Sequence, residues 1–262
     1  MKIGPIDSHA HLSHADFDQD RDEVLTRAKE KGLQAILSIG TEPQEMFKEV
    51  DIAMRYPGFI FLAMGYHPHV AKDMTDVHYE RLQDFIWADQ EVVAIGEIGL
   101  DFHYNHSDPV SQEGALREQL RIAARRNLPV IVHCREAYPE LIKILKSEEV
   151  PPEKIMIHCF SGDADQAKKL LSWGATLSFA GPVTFPNAEG LRQIVKATPI
   201  NRILAETDAP YLAPQSNRGK RNEPAYVMEV YSTIAAIKEI SVEELTDRIA
   251  ENFCRFFGVA MD

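Results

Sequence analysis

Cysteine is scarce: Cys134, Cys159 and Cys254 are the only three in 262 residues. An odd count at wide spacings argues against a disulfide framework, and no Cys-x-x-Cys pair offers a thiolate zinc site. The expectation is three small buried residues in a reducing compartment. Long apolar runs are missing as well. None approaches the roughly 20 residues that span a bilayer. The opening MKIGPIDSHAHL holds neither the apolar stretch nor the small-residue cleavage site of a secretory leader. A cytoplasmic protein without membrane contact is therefore expected. Basic residues are outnumbered, 28 against 40 acidic, for a formal net charge of −12. That balance argues against a broad cationic face for nucleic acid. It leaves room for a local basic loop and bound divalent cations to make one cleft positive. There is no fixed-period repeat, low-complexity tract or Gly/Ser linker. One domain over residues 1–262 is the simplest organisation, and no obligate protein partner is evident.

What is present is alternation. Strand-like apolar runs are expected at Ile3–Asp7, Ala35–Ile39, Phe59–Met64, Val92–Ile98, Val130–His133, Ile155–His158, Ala175–Phe179 and Arg202–Glu206. Helical patterns fall between them at Asp20–Lys31, Glu45–Tyr56, His78–Ala88, Gln112–Arg126, Tyr138–Ser147, Asp165–Trp173 and Glu189–Ala197. Two more, Ala225–Lys238 and Val242–Phe257, close the chain. Short apolar runs alternating with amphipathic segments indicate parallel strands with crossover helices. Eight such units predict a single (β/α)8 TIM barrel, a fold that commonly takes about 250 residues. A doubly wound sheet would want a Gly-rich phosphate fingerprint after the first strand. His9-Ala10-His11 stands there instead.

Ten histidines carry more information than the net charge. In extended backbone, residues two apart face the same side, so His9 and His11 can converge on one metal ion. Later strands strengthen that signal. The fourth delivers Glu97 at the end of an apolar run, the fifth His133, the sixth His158, and the eighth Glu206 and Asp208. In a barrel the C-terminal strand ends surround one mouth, where active sites are built. Imidazole with carboxylate suits Zn²⁺ or Mn²⁺, and carboxylate with water suits Mg²⁺. Two divalent metal ions are expected. Glu97 has two oxygens and can bridge them, with His9, His11 and Asp208 on one side and His133 and His158 on the other.

Across nearly its whole length the chain resembles the TatD family of metal-dependent deoxyribonucleases, within the amidohydrolase-like barrels. The motifs are DSHAHL, GYHPH, GEIGLDFHY, PVIVHCR, IHCFSG and ETDAPYLAP followed by RGKRNEP. The resemblance implies a divalent-metal hydrolase that cleaves phosphodiester bonds, often as a 3′-to-5′ exonuclease on DNA. It implies His9, His11, Glu97, His133, His158 and Asp208 as metal ligands. Asp208 is the candidate to orient or deprotonate a water, with Glu97 and Glu206 as further catalytic candidates. Glu206 would act as a ligand to a third metal or as a partner of a ligand, and is equally readable as a barrel-end residue paired to a basic neighbour.

Around this set stand weaker candidates. Asp7 either orients a ligating imidazole or caps a buried network. His67 is a phosphate contact or a structural residue. Arg135 and the cluster Arg218, Lys220 and Arg221 suit a phosphate backbone. Tyr104, Phe160 and Phe185 are placed on mouth loops and suit base stacking or loop packing. Asp101 and His103 are expected on a loop after Glu97. DNA is the expected substrate, at ends or in single strands. The alternatives are a hydrolase of small esters, amides or lactones, a tRNA-directed hydrolase, and a catalytically idle metal-binding protein. Many small-molecule amidohydrolases carry a modified Lys where this chain has Glu97, which favours the nuclease.

Overall fold

Runs of Ile, Val, Leu and Ala too short for helices, buried on both faces, pair as parallel strands. In the computed structural model, which describes residues 4–88 and 91–261, eight of them form one sheet in chain order. They are β1 (Ile6–Ala10), β2 (Ala35–Gly40), β3 (Ile60–Met64), β4 (Val92–Asp101), β5 (Val130–Arg135), β6 (Ile155–Ile157), β7 (Thr176–Phe179) and β8 (Ile203–Ala205). The ring closes just beyond β8, where Ala10 bridges Ala209 in parallel register. Asp208 N–H donates to the His9 carbonyl at 2.9 Å and His11 N–H to the Ala209 carbonyl at 2.8 Å. This is the expected (β/α)8 TIM barrel.

The outer layer comprises α1 (Arg21–Glu30), α2 (Pro43–Arg55), α3 (Asp76–Ala88), α4 (Pro109–Arg126), α5 (Tyr138–Leu145), α6 (Ala164–Trp173), α7 (Glu189–Ala197), α8 (Val227–Lys238) and α9 (Val242–Phe257). Four helices start earlier than their apolar pattern indicated: α2 at Pro43, α3 at Asp76, α4 at Pro109 and α6 at Ala164. Proline suits the first helical position because its missing N–H has no partner to lose there. Asp108 caps α4, its carboxylate accepting from the N–H groups of Val110 and Ser111. Among the described residues no helix is long and apolar enough to cross a membrane.

Strand ends differ from the expected ones where polar residues are buried. Ile3 lies outside the described residues, and β1 runs on through Asp7, Ser8, His9 and Ala10. Likewise β4 continues three residues past Ile98, because Gly99, Leu100 and Asp101 pair with His133, Cys134 and Arg135. Asp101 therefore belongs to a strand and not to a loop. Gly99 makes that pairing possible. At φ +152 a Cβ there would stand 2.0 Å from the His133 carbonyl oxygen. Gly99→Ala must push apart the two strands that carry Glu97 and His133. The expected cost is about 3 kcal/mol, read as a lowered urea midpoint in circular dichroism. A midpoint equal to wild type would refute the close-approach account.

Candidate metal centre

The strand ends bring together two sets of donor atoms that meet at one carboxylate. His9 and His11 share a face of β1 and its extension, and their Nε2 atoms lie 3.3 Å apart. Glu97 Oε2 is 3.3 Å from His9 Nε2 and 3.7 Å from His11 Nε2. Asp208 Oδ1 is 3.7 Å from His9 Nε2 and 3.4 Å from His11 Nε2. A tetrahedron of ligands about 2.1 Å from a central ion has edges of about 3.4 Å, so the His9, His11 and Asp208 atoms are spaced to share one cation, and Glu97 Oε2 stands at similar distances from both imidazoles. The other Glu97 oxygen, Oε1, is 2.7 Å from His133 Nδ1 and 2.7 Å from His158 Nε2. Those two nitrogens are 3.3 Å apart. His67 Nε2 also faces Oε1, at 3.5 Å. His9 and His158 stack, ring centroids 4.1 Å apart, and join the two sets.

Burial works against a charge on Glu97. The His158 and His67 imidazoles, with hydrogen bonds from His133 and His158, outweigh it and hold the carboxyl well below its usual range. Asp208 is similarly buried and is held low by its bond to His11 and by the charges of His158 and His9. Desolvation would lower His11, but Asp208 and Glu97 reverse that and carry it to about 9. For His67 burial wins over Glu97, and the ring falls to about 4.

The sets open into a cavity of ≈ 770 Å³ whose lining includes His11, His67, His69, Glu97, His133, His158 and Asp208. Arg135 is the one Arg or Lys among the lining residues; Glu42 and Glu45 line the same cavity. The Arg135 guanidinium lies 4.7 Å from the centroid of Tyr104, which is 52% exposed. The His106 ring is parallel to Tyr104 at 5.7 Å.

Several expected residues stand elsewhere. Glu206 is wholly buried behind His158 and does not line the cavity. Its Oε1 accepts from Cys159 N–H at 2.7 Å and lies 3.3 Å from His158 Nδ1. With His9 and His158 it forms a further group of donor atoms, all within 4.8 Å of one another, that could hold a metal ion. Asp7 caps a network: it accepts from the Thr207 hydroxyl, the Thr207 N–H and the His9 N–H, and no imidazole. Its burial, offset in part by Thr207, pushes the carboxyl up to about 8. Phe160 is buried against Tyr138 and is closed to a base. His103 pairs with Glu136 at the surface. Cys134 is buried, and Cys159 and Cys254 are partly so; all three are free.

The basic loop is the largest departure. Arg218, Lys220 and Arg221 do not line the cavity. Arg218 lies over Phe185 at 4.4 Å, and Lys220 is exposed. Arg221 forms a two-pronged pair with Asp20, at 2.7 and 2.6 Å, and donates to the Asp16 carbonyl. A guanidinium so engaged clamps the loop after β8 to the start of α1. The neighbouring Asn222, absent from the sequence-based candidates, does more. Its buried side-chain amide donates to the carbonyls of Thr207 at 2.8 Å and Tyr211 at 2.7 Å. That staple closes the turn in which Asp208 adopts φ +58. His69 was also missed, although His67-Pro68-His69 repeats the two-apart spacing of His9 and His11.

Comparison with known proteins gives the same picture. The family model described as TatD related DNase matches residues 6–258. The chain is 39% identical over 259 residues to the uncharacterized metal-dependent hydrolase YabD of Bacillus subtilis, covering 97% of this chain and 99% of that one. It is 36% identical over 261 residues to the 3′-5′ ssDNA/RNA exonuclease TatD of Pectobacterium carotovorum, covering 97% and 100%. Among solved structures, YJJV, a TatD homologue from Escherichia coli, superposes with a TM-score of 0.92 at 30% identity, covering 99% and 100%. The chain belongs to the TatD family of metal-dependent hydrolases.

Asn222→Ala would leave a buried carbonyl at Thr207 and a partly buried one at Tyr211 without this donor. The expected loss is about 3 kcal/mol of stability, measured by urea denaturation; an unshifted midpoint would remove the staple from the account.

Proposed function

We propose that this TatD-family hydrolase is a divalent-metal nuclease that trims nucleic-acid strands from an end, with single-stranded DNA as substrate and 3′-to-5′ polarity. The observation that carries it is the division of Glu97 between two donor sets inside one cavity. His9, His11, Asp208 and Glu97 Oε2 would hold one cation, and His133, His158 and Glu97 Oε1 a second. Zn²⁺ and Mn²⁺ suit this mixture of imidazole and carboxylate. Bound there, divalent cations would acidify a water and stabilise charge on the attacking and leaving oxygens of the phosphodiester.

The chain's own groups do the rest. Asp208 lines the cavity with its carboxyl held ionised, so it can orient the attacking water and accept a proton at a carboxylate oxygen. His67 Nδ1 accepts from His69 N–H at 3.2 Å, which leaves the N–H of the neutral ring at Nε2, facing the site. A phosphoryl oxygen is a natural acceptor for it. Arg135 supplies a cation for the backbone, and the exposed Tyr104 ring beside it offers a face to an unpaired base. Support for an end-trimming action comes from size: ≈ 770 Å³ falls within the range of small-ligand pockets, not of a groove that follows a duplex. The relative named as a 3′-5′ ssDNA/RNA exonuclease supports the polarity and the strand preference.

Glu97→Gln and Asp208→Asn should each lower the rate on a 5′-labelled single-stranded oligonucleotide by about 10³-fold or more. Chelator should abolish cleavage and added Mn²⁺ or Zn²⁺ restore it. Near-normal cleavage by either folded variant would sink the assignment. Turnover of small esters or lactones with none of any oligonucleotide would replace the nuclease by a small-molecule hydrolase. A further expectation separates the basic residues. Arg135→Ala should weaken single-strand binding and flatten its log–log salt slope by about 0.7, whereas Arg221→Ala should leave the slope as it is. Equal slopes for wild type and Arg135→Ala would remove Arg135 from the phosphate path.

A further inference from the structure

The two sides of the cavity differ in charge. Tyr104, just past β4, and Arg135, at the end of β5, stand on one side. The strands run round the ring in chain order and Ala10 meets Ala209, so the opposite side belongs to β8, β1 and β2. There the lining includes Tyr211 and Leu212 after β8, His14 after β1, and Glu42 and Glu45 after β2. Tyr211 is 50% and Leu212 41% exposed, so two large apolar side chains face the opening instead of the core. Their backbone is fixed. Leu212 adopts φ +51, where a residue other than Gly is uncommon. Tyr211 N–H donates to the Asp208 carbonyl at 2.8 Å, and the Tyr211 carbonyl accepts from Asn222 at 2.7 Å. Gly181 passes so close that a Cβ there would stand 2.0 Å from the Leu212 carbonyl oxygen. Backbone held in this way is common at ligand clamps. The Tyr211 ring packs edge-to-face with His11 and His14, centroids 5.8 and 5.5 Å apart, and so stands directly beside the first donor set.

The end of a nucleic-acid strand has a matching asymmetry. Each upstream nucleotide brings a phosphate. A terminal nucleoside that ends in a 3′-hydroxyl brings only a sugar and an aromatic base beyond the scissile phosphate. Arg135 attracts the first, and an acidic wall with an exposed aromatic ring suits the second. The acidic charge reaches this ring: burial, then the charges of Asp208 and Glu45, push the Tyr211 hydroxyl up to about 12. We propose that Tyr211 and Leu212 form the subsite for the 3′-terminal nucleoside, with Tyr211 packing on its base, and that Glu42 and Glu45 make this subsite reject a 3′-phosphate. The inference rests on the nuclease reading. The body of the strand then leaves over Arg135 and Tyr104.

Three single strands test this with the Mn²⁺-loaded protein: one ending in a 3′-hydroxyl, one in a 3′-phosphate, and one whose 3′-terminal nucleotide lacks its base. Wild type should cleave the phosphate-ended strand with a kcat/KM about 10-fold below that of the hydroxyl-ended strand. The double variant Glu42→Gln/Glu45→Gln should close most of that gap. Tyr211→Ala should raise KM on the hydroxyl-ended strand by about 10-fold and leave KM unchanged on the strand without its terminal base. Tyr211→Phe should match wild type. Leu212→Ala removes only a half-exposed side chain and should raise KM by about 3-fold, again only where the terminal base is present. Equal rates on hydroxyl and phosphate ends in the wild type, or an undiminished gap in the double variant, would overturn the role of Glu42 and Glu45. An equal rise in KM with and without the terminal base, for either variant, would overturn the subsite, because the residue would then act through the donor set and not on a base. A wild type that cleaved none of the strands would overturn the nuclease reading, and the subsite with it.

Discussion

The Glu97 carboxylate sits where burial and charge pull in opposite directions, and the mouth of the barrel is arranged around that conflict. A buried carboxylate is costly unless opposite charge or hydrogen bonds surround it. Here His9 and His11 approach one oxygen while His133, His158 and His67 approach the other. Asp208 and Asp101 add further negative charge close by, each tied to imidazoles. So many acids and imidazoles at short range are compatible only when positive charge is shared among them, as protons on the rings or as divalent cations. The same balance makes the site suited to stabilising charge that develops on a substrate.

The barrel supplies the precision that this balance needs. His158 and Glu206 fall one residue past β6 and β8, so short, well-paired strands set their positions. Gly99 lets β4 approach β5 more closely than any side chain would allow, which aligns Glu97 and Asp101 with the two nitrogens of His133. Around the donors that line the cavity lie buried groups that do not line it: Glu206 against His158, Asp7 against Thr207, and Asn222 holding the turn of Asp208. Asp7 and Asn222 are paired within the protein, as polar groups kept from water usually are, whereas Glu206 Oε2 is buried without a partner. Rigidity of this kind holds donor atoms in place before any ligand arrives.

Legibility in the sequence followed from how local each signal was. Eight apolar runs and their crossover helices were readable because period and length are local properties. The two-apart spacing of His9 and His11 was readable for the same reason, as was an acid or imidazole closing each later run. Less was readable where the partner lies far along the chain. Asp101 looked like a loop residue because its strand pairing depends on His133, Cys134 and Arg135. Arg221 looked like a phosphate contact because Asp20, about two hundred residues earlier, is invisible as its neighbour. Phe160 looked available for stacking until Tyr138 covered it.

By itself, then, the sequence determined the fold class, the candidate donor residues and the end of the barrel where they gather. Those depend on residue chemistry and on a repeating pattern. The tertiary structure alone decided which oxygen of Glu97 each histidine faces, which carboxylates stand behind the site instead of in it, and which cations reach the cavity. These are distances between residues remote in the chain, and only closure of the barrel gives them values. The His9-Ala10-His11 pair could announce a metal; its geometry awaited Glu97 and Asp208 from the other strands.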